Sequence, residues 1–186
     1  MLKASGDQMD WKGIVIVVFV IFSVVGTIVS VILGYTKKEE KLRCYRAAEN
    51  IIKEKYLSKS LMNPNIENVD ISEIYNTRMM VYIKNISVKP KRGYVFDVSD
   101  MVRIGRKNDC NIILNDSTVS SEHCIIYNMD NNVCLQDKSL NGTLLKRGIY
   151  RLRIVDNTCV LEDGDTLVIG STEFKIRLFV YDGRNM

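Results

Sequence analysis

The sequence predicts an all-β antiparallel sandwich of about ten short strands, preceded by one transmembrane helix and a juxtamembrane helix. Three observations carry this prediction. From Met80 onward, short apolar runs alternate with turn residues and no helical period intervenes. Residues 13–34 form an unbroken apolar stretch without charge or proline. Residues 37–60 are strongly charged, lack proline and glycine, and carry apolar side chains at helical spacing.

The totals exclude several classes of function. A chain of 186 residues can bury one ordinary core with material to spare. With 26 basic and 22 acidic residues the net charge is +4, which is not the dense basic face of a nucleic-acid binder, so no nucleic acid is expected among the partners. The five cysteines (Cys44, Cys110, Cys124, Cys134, Cys159) are odd in number and scattered, with no C-x-x-C pair. They suit a reducing compartment and fit neither a zinc site nor a disulfide framework, so no metal and no cofactor is expected. His123 is the single histidine, which leaves little room for His-based catalysis.

Residues 1–12 are polar and are read as a segment outside the cytoplasm. The 22 residues at 13–34 span about 33 Å as a helix, enough for a hydrocarbon core of about 30 Å. Trp11 and Tyr35 flank the stretch as interfacial aromatics. A buried soluble helix is rarely so evenly apolar on every face, and a signal peptide has a shorter apolar region with a small-residue cleavage site. Only Lys3 and Lys12 precede the span, whereas Lys37, Lys38, Lys41, Arg43 and Arg46 follow it. The positive-inside rule then puts the N-terminus outside and the remainder in the cytoplasm, as a single-pass membrane protein. The sequons at Asn85, Asn115 and Asn141 would accordingly go unused. Gly26, Ser30 and Gly34 share one helix face, and small residues at that spacing favour a homodimer of helices.

In the juxtamembrane helix, residues 35–60, Leu42, Tyr45, Ile52 and Tyr56 form a moderate stripe, read as a solvated spacer. Asn63-Pro64-Asn65 breaks the helix, and residues 61–78 read as a linker. Strands are expected at 80–83, 94–98, 101–104, 111–114, 123–127, 133–136, 143–145, 166–169 and 174–180. The turns between them fall at 89–93, 128–132, 146–148, 162–165 and 170–171.

Polar groups recur where these strands give way to turns. Their order is Ile104-Gly105-Arg106, then Ser120-Ser121-Glu122-His123, then Ser139-Leu140-Asn141-Gly142-Thr143, then Asp163-Gly164-Asp165 followed by Ile169-Gly170. One such group alone is a weak signal, but the ordered set resembles a forkhead-associated (FHA) domain over residues 80–179, with domain limits of 79–181 and a tail at 182–186. The resemblance implies an eleven-stranded sandwich whose loops at one end bind phosphothreonine in a partner protein, a kinase or a kinase substrate.

The residue types suit that task. A phosphate carries close to two charges and three strong acceptor oxygens. Arg106 offers it a planar fork of donors, and Gly105 allows a tight turn that aims the arginine off the sandwich edge. Ser120 can donate its hydroxyl, and the Asn141 amide can bond the partner main chain beside the phosphothreonine. Ser139 and Leu140 are expected to border the peptide. Ser121 stands where members of the family often carry a basic residue, so a hydroxyl replaces one positive charge. By the same resemblance His123 is structural, bracing the loops together with Gly142 and Thr143. Lys107 and Lys138 add positive potential. A second departure is the stretch 148–158, GIYRLRIVDNT, longer and more basic than the usual link and able either to form an extra hairpin or to contact a partner.

These readings converge on a membrane-anchored cytoplasmic adaptor in Ser/Thr-kinase signalling; for a bacterial source the family analogy points to envelope synthesis or division. The alternative is a phosphate-independent FHA-like scaffold subunit of a membrane complex. An enzyme is not expected, because no base, metal cluster or carboxylate pair stands in a catalytic context.

Overall fold

The structure is a computed structural model that describes residues 11–62 and 76–185. Most of the expected N-terminal segment and the Asn63-Pro64-Asn65 break lie outside the described residues. Helix α1 runs from Trp11 to Met62, and the chain divides within it into one unit ending at Arg43 and a second beginning at Cys44.

In the first unit the helix exposes its apolar side chains on every face, with mean hydropathy 3.0 in its most apolar window. Among the described residues it is the one helix long and apolar enough to cross a membrane. The Ser30 hydroxyl bonds back to the Gly26 carbonyl at 2.9 Å, so this polar group is satisfied within the helix.

The second unit is a sandwich of two sheets. The strands are β1 (Arg78–Asn85), β2 (Arg92–Asp97), β3 (Val102–Gly105), β4 (Ile112–Ile113), β5 (Cys124–Met129) and β6 (Asn132–Asp137). They continue with β7 (Thr143–Arg147), β8 (Tyr150–Ile154), β9 (Thr158–Val160), β10 (Thr166–Ile169) and β11 (Thr172–Tyr181). One sheet has the order β2-β1-β11-β10-β7-β8 and the other β4-β3-β5-β6-β9. Every pairing is antiparallel except β3 with β4, where Ile104 faces Ile112 in a short parallel ladder, so the sandwich is mixed at this one edge. Alternating side chains such as Ile83, Ile104, Ile126, Leu135, Leu167 and Phe174 meet between the sheets and are excluded from water.

Turn chemistry sets the register. The two-residue turn Asp130-Asn131 has φ of 51° and 63°, the doubly positive pattern that matches hairpin twist. Gly148 at φ 57° opens the two-residue turn between β7 and β8. The long stretch 148–158 therefore supplies β8, where Tyr150, Leu152 and Ile154 alternate with Arg151 and Arg153, and the link to β9, so the extra hairpin is formed by β7 and β8.

The C-terminal turns of α1 are not a solvated spacer. Ala48, Ile52 and Tyr56, four residues apart on one face, bury themselves against Met80 of β1 and Tyr181 of β11. The Tyr45 hydroxyl donates to the Val180 carbonyl at 3.1 Å, and Arg78 donates to the Tyr56 hydroxyl at 2.7 Å while pairing with Asp97 at 3.2 Å. Lys55 reaches Asp100 at 2.9 Å. The spacer expectation fails because two of these three residues are alanine and tyrosine, and their complement lies on the outer face of strands more than twenty residues away.

This packing predicts that Ile52→Ala, in the full chain in detergent, destabilises the second unit by about 2–5 kcal/mol in chemical denaturation followed by circular dichroism. Leu57→Ala, at a side chain 64 % exposed, is expected to change stability by less than about 0.5 kcal/mol.

Candidate functional site

Three loops meet at one end of the sandwich: the one after β3, the one before β5 and the one between β6 and β7. Gly105 closes β3, and a side chain there would strike the Ser121 carbonyl oxygen at 2.3 Å. Its φ lies outside the left-handed region, so close approach of two backbones requires the glycine here, not a tight turn. That approach lets the Arg106 N–H donate to the Ser120 carbonyl and the Lys107 N–H to the Ser121 carbonyl, both at 3.0 Å.

The Arg106 side chain is exposed, and its Nε donates to the Val119 carbonyl at 3.3 Å. This single bond orients the guanidinium and leaves both terminal nitrogens available. Ser120 is half-buried; its Oγ accepts the Leu140 N–H at 3.4 Å, so the hydroxyl proton is left to donate elsewhere. The Asn141 amide donates to the Thr118 carbonyl at 3.0 Å and keeps a second hydrogen and its oxygen. Arg106, Ser120 and Asn141, far apart in sequence, are thus stitched into one surface. Leu140 is 93 % exposed beside them, and Ser121 is exposed with its carbonyl held by Lys107 and by the Cys110 thiol at 3.5 Å.

Ser139 differs from expectation. It is buried, its hydroxyl donates to the Asp137 carboxylate at 3.0 and 3.1 Å, and its Oγ accepts the Gly142 N–H at 2.7 Å. Its chemistry in this structure is that of a brace inside the loop.

The brace is organised by Asp137, which the sequence reading passed over. This fully buried carboxylate also accepts the Ser139 N–H at 3.0 Å, the Thr143 hydroxyl at 2.7 Å and the Asp156 N–H at 3.3 Å. Gly142 completes the loop at φ 75°, pressed against the Ile154 carbonyl. A run Asp-x-Ser-x-x-x-Thr after a strand is the signal that could have revealed it, since aspartate there caps its own loop.

His123 is also fully buried. Its Nδ1 accepts the Ser120 N–H at 3.3 Å, so the proton of the neutral ring sits on Nε2, which faces Asp137 at 3.8 Å and the Gly142 main chain. Burial pushes its pKa below the usual value of 6.5, with Asp137 and Gly142 opposing the shift. Asp116 supplies a further tie: it accepts from the backbone and hydroxyl of Thr118 and from those of Ser171, and these bonds hold its carboxyl far below the ordinary range.

Local charge is narrower than the sequence suggests. Lys107 pairs with Asp109 at 2.7 Å and Lys138 with Glu122 at 2.9 Å, so both are largely neutralised. No ion pair engages Arg106 among the described residues, so it stands as the uncompensated cation of these loops. Burial pushes the Cys110 and Cys134 thiols up, drives Cys124 far up and takes Cys159 to about 11, which disfavours the thiolate at these four.

Residues 102–170 match the family model described as FHA domain. This segment is an FHA domain. The FHA match runs from β3 through β10 and so contains all three loops. The probable serine/threonine-protein kinase fhkA of Dictyostelium discoideum is 32% identical over 112 residues, covering 52% of this chain and 16% of that protein. The chain thus spans about 16% of that relative's length. Among solved structures, Mycobacterium tuberculosis EmbR in complex with a low-affinity phosphopeptide is 30% identical, with a TM-score of 0.45, covering 53% of this chain and 24% of that one. An FHA domain from a study of phosphothreonine-dependent FHA domain interactions is 26% identical, with a TM-score of 0.44, covering 53% of this chain and 95% of that one.

Because the FHA domain holds His123 neutral, its stabilising contribution is complete above about pH 6.5 and is lost as pH falls through the lower folded-state value. Thermal midpoints are therefore expected to fall between pH 7.5 and pH 5. In His123→Gln that part of the slope is expected to vanish, leaving the Asp116 contribution, which is lost only in stronger acid.

Proposed function

We propose that this protein is a membrane-anchored adaptor that captures threonine-phosphorylated partners, a kinase or its substrate, on the cytoplasmic face of a membrane. The single observation that carries this reading is the Arg106 guanidinium, unpaired among the described residues and stitched beside Ser120 and Asn141. An anion with several acceptor oxygens satisfies that set: the arginine fork and the Ser120 hydroxyl donate to phosphate, while Asn141 takes the adjacent peptide main chain. Ser121 and Leu140 border the ligand; Ser139, Gly142, Thr143 and His123 hold the loops in place. Residues 13–34 serve as the anchor, with the basic residues at 37–46 kept inside, and the Gly26, Ser30 and Gly34 face is available for pairing two copies.

Charge-assisted bonds contribute about 1.5–3 kcal/mol each against several kcal/mol of association cost, so affinity near micromolar is expected. Arg106→Ala is expected to weaken binding of phosphothreonine peptides at least about tenfold in a pulldown or titration. Because the side chain is exposed, its thermal midpoint should stay close to that of the wild type. Equal binding by both proteins contradicts the reading, and partner capture that survives phosphatase treatment would point instead to the phosphate-independent scaffold.

A further inference from the structure

β8 is the last strand of its sheet, and among the described residues no strand pairs with its outer edge. Four of its five residues are exposed, Tyr150 at 73 % and Leu152 at 55 %. Free N–H and C=O groups along such an edge recruit an extended chain. The other edges offer less: β4 has two residues, β9 has three, and β2 lies at the opposite end of the same sheet.

The position of β8 relative to the loops gives the edge a use. It runs antiparallel to β7, with Ile154 opposite Thr143, so its last residues lie beside the Asn141 loop. Arg153 Nη1 donates to the Asn141 main-chain oxygen at 2.7 Å, which makes the edge continuous with the phosphate-facing surface. The charge on this edge is one-sided. On the neighbouring β7, Lys146 is paired with Glu173 at 2.7 Å and Arg147 with Asp165 at 2.8 Å. Arg151 and Arg153, which alternate with Tyr150 and Leu152, are exposed and have no carboxylate partner among the described residues.

We propose that β8 receives an extended acidic segment of the same partner chain that presents the phosphothreonine. The segment adds as a further strand, with its carboxylates on Arg151 and Arg153 and its apolar side chains against Tyr150 and Leu152. The inference rests on the phosphothreonine reading and specifies the kind of partner it takes: a phosphothreonine flanked on one side by a β-forming acidic run. The phosphate supplies the anchor, and the strand supplies selectivity among phosphorylated chains.

The test uses the full chain in nonionic detergent and fluorescence anisotropy with a short phosphothreonine peptide. That peptide is compared with versions extended at one end or the other by alternating Glu and Val, or by alternating Lys and Val. One Glu-Val extension is expected to bind about tenfold tighter than the short peptide, an advantage that shrinks as salt is raised, while the Lys-Val versions gain nothing. Arg151→Glu, at a residue opposite Lys146 that bonds none of Arg106, Ser120 and Asn141, is expected to bind the short peptide as the wild type does and to lose most of the advantage. Absence of a gain from either Glu-Val extension, an equal gain from lysine, or a gain that survives Arg151→Glu overturns the inference while leaving the phosphothreonine reading standing. Equal binding of the phosphorylated and unphosphorylated Glu-Val peptides overturns the phosphothreonine reading and leaves the edge. If no peptide binds, both fall.

Discussion

A buried carboxylate with all its acceptors in use holds the binding end together. Asp137 takes hydrogen bonds from the backbone and hydroxyl of Ser139, the hydroxyl of Thr143 and the backbone of Asp156, and it faces His123. A charge removed from water is tolerated only when it is satisfied in this way, and loss of any partner leaves a polar group stranded. The consequence is rigidity where rigidity matters. Ser139 passes the constraint to Gly142, and His123 passes it to Ser120. The Leu140 N–H then rests on the Ser120 hydroxyl and the Asn141 amide on the Thr118 carbonyl. Arg106 joins through Ser120 and Val119. Arg106, Ser120 and Asn141 each lie on a loop, so their positions rest on these bonds.

The helix is joined to the sandwich by the same kind of economy. The outer face of β1 and β11 carries Met80 and Tyr181, which would be an exposed apolar patch if the C-terminal turns of α1 did not cover it. Tyr45 and Tyr56 add directed hydrogen bonds to the apolar contact of these C-terminal turns.

Much of the architecture was legible in the sequence because it rests on local signals. The period of two, the turns at Asp130-Asn131 and Gly170, and the uncharged run at 13–34 each declare themselves within a few residues. The spacing of Gly105-Arg106, Ser120, His123 and Asn141 located the loops that the fold brings together. What escaped depends on partners distant in the chain. β8 alternates apolar and basic residues, but only Ile154 is buried, so the pattern does not by itself place the stretch in the sandwich. Ala48, Ile52 and Tyr56 become a core stripe only once β1 and β11 lie beneath them. Asp137 and Asp116 show their roles only with the Thr143 and Ser171 hydroxyls in place. The cationic character of Lys107 and Lys138 was overstated for the same reason, since Asp109 and Glu122 cancel it.

On the phosphothreonine reading, recognition falls chiefly to one exposed arginine, one half-buried hydroxyl and one amide, with Arg151 and Arg153 as further uncompensated charges along the neighbouring edge. Such a surface discriminates by the ligand's own charge and shape more than by a general attraction to anions. The most direct measurement is isothermal titration of the wild-type protein with one peptide in four forms: threonine, phosphothreonine, phosphoserine and aspartate. Binding of the phosphothreonine form near micromolar, with the threonine and aspartate forms at least about a hundredfold weaker, is the predicted result. Equal affinity for the threonine and phosphothreonine forms would contradict the account.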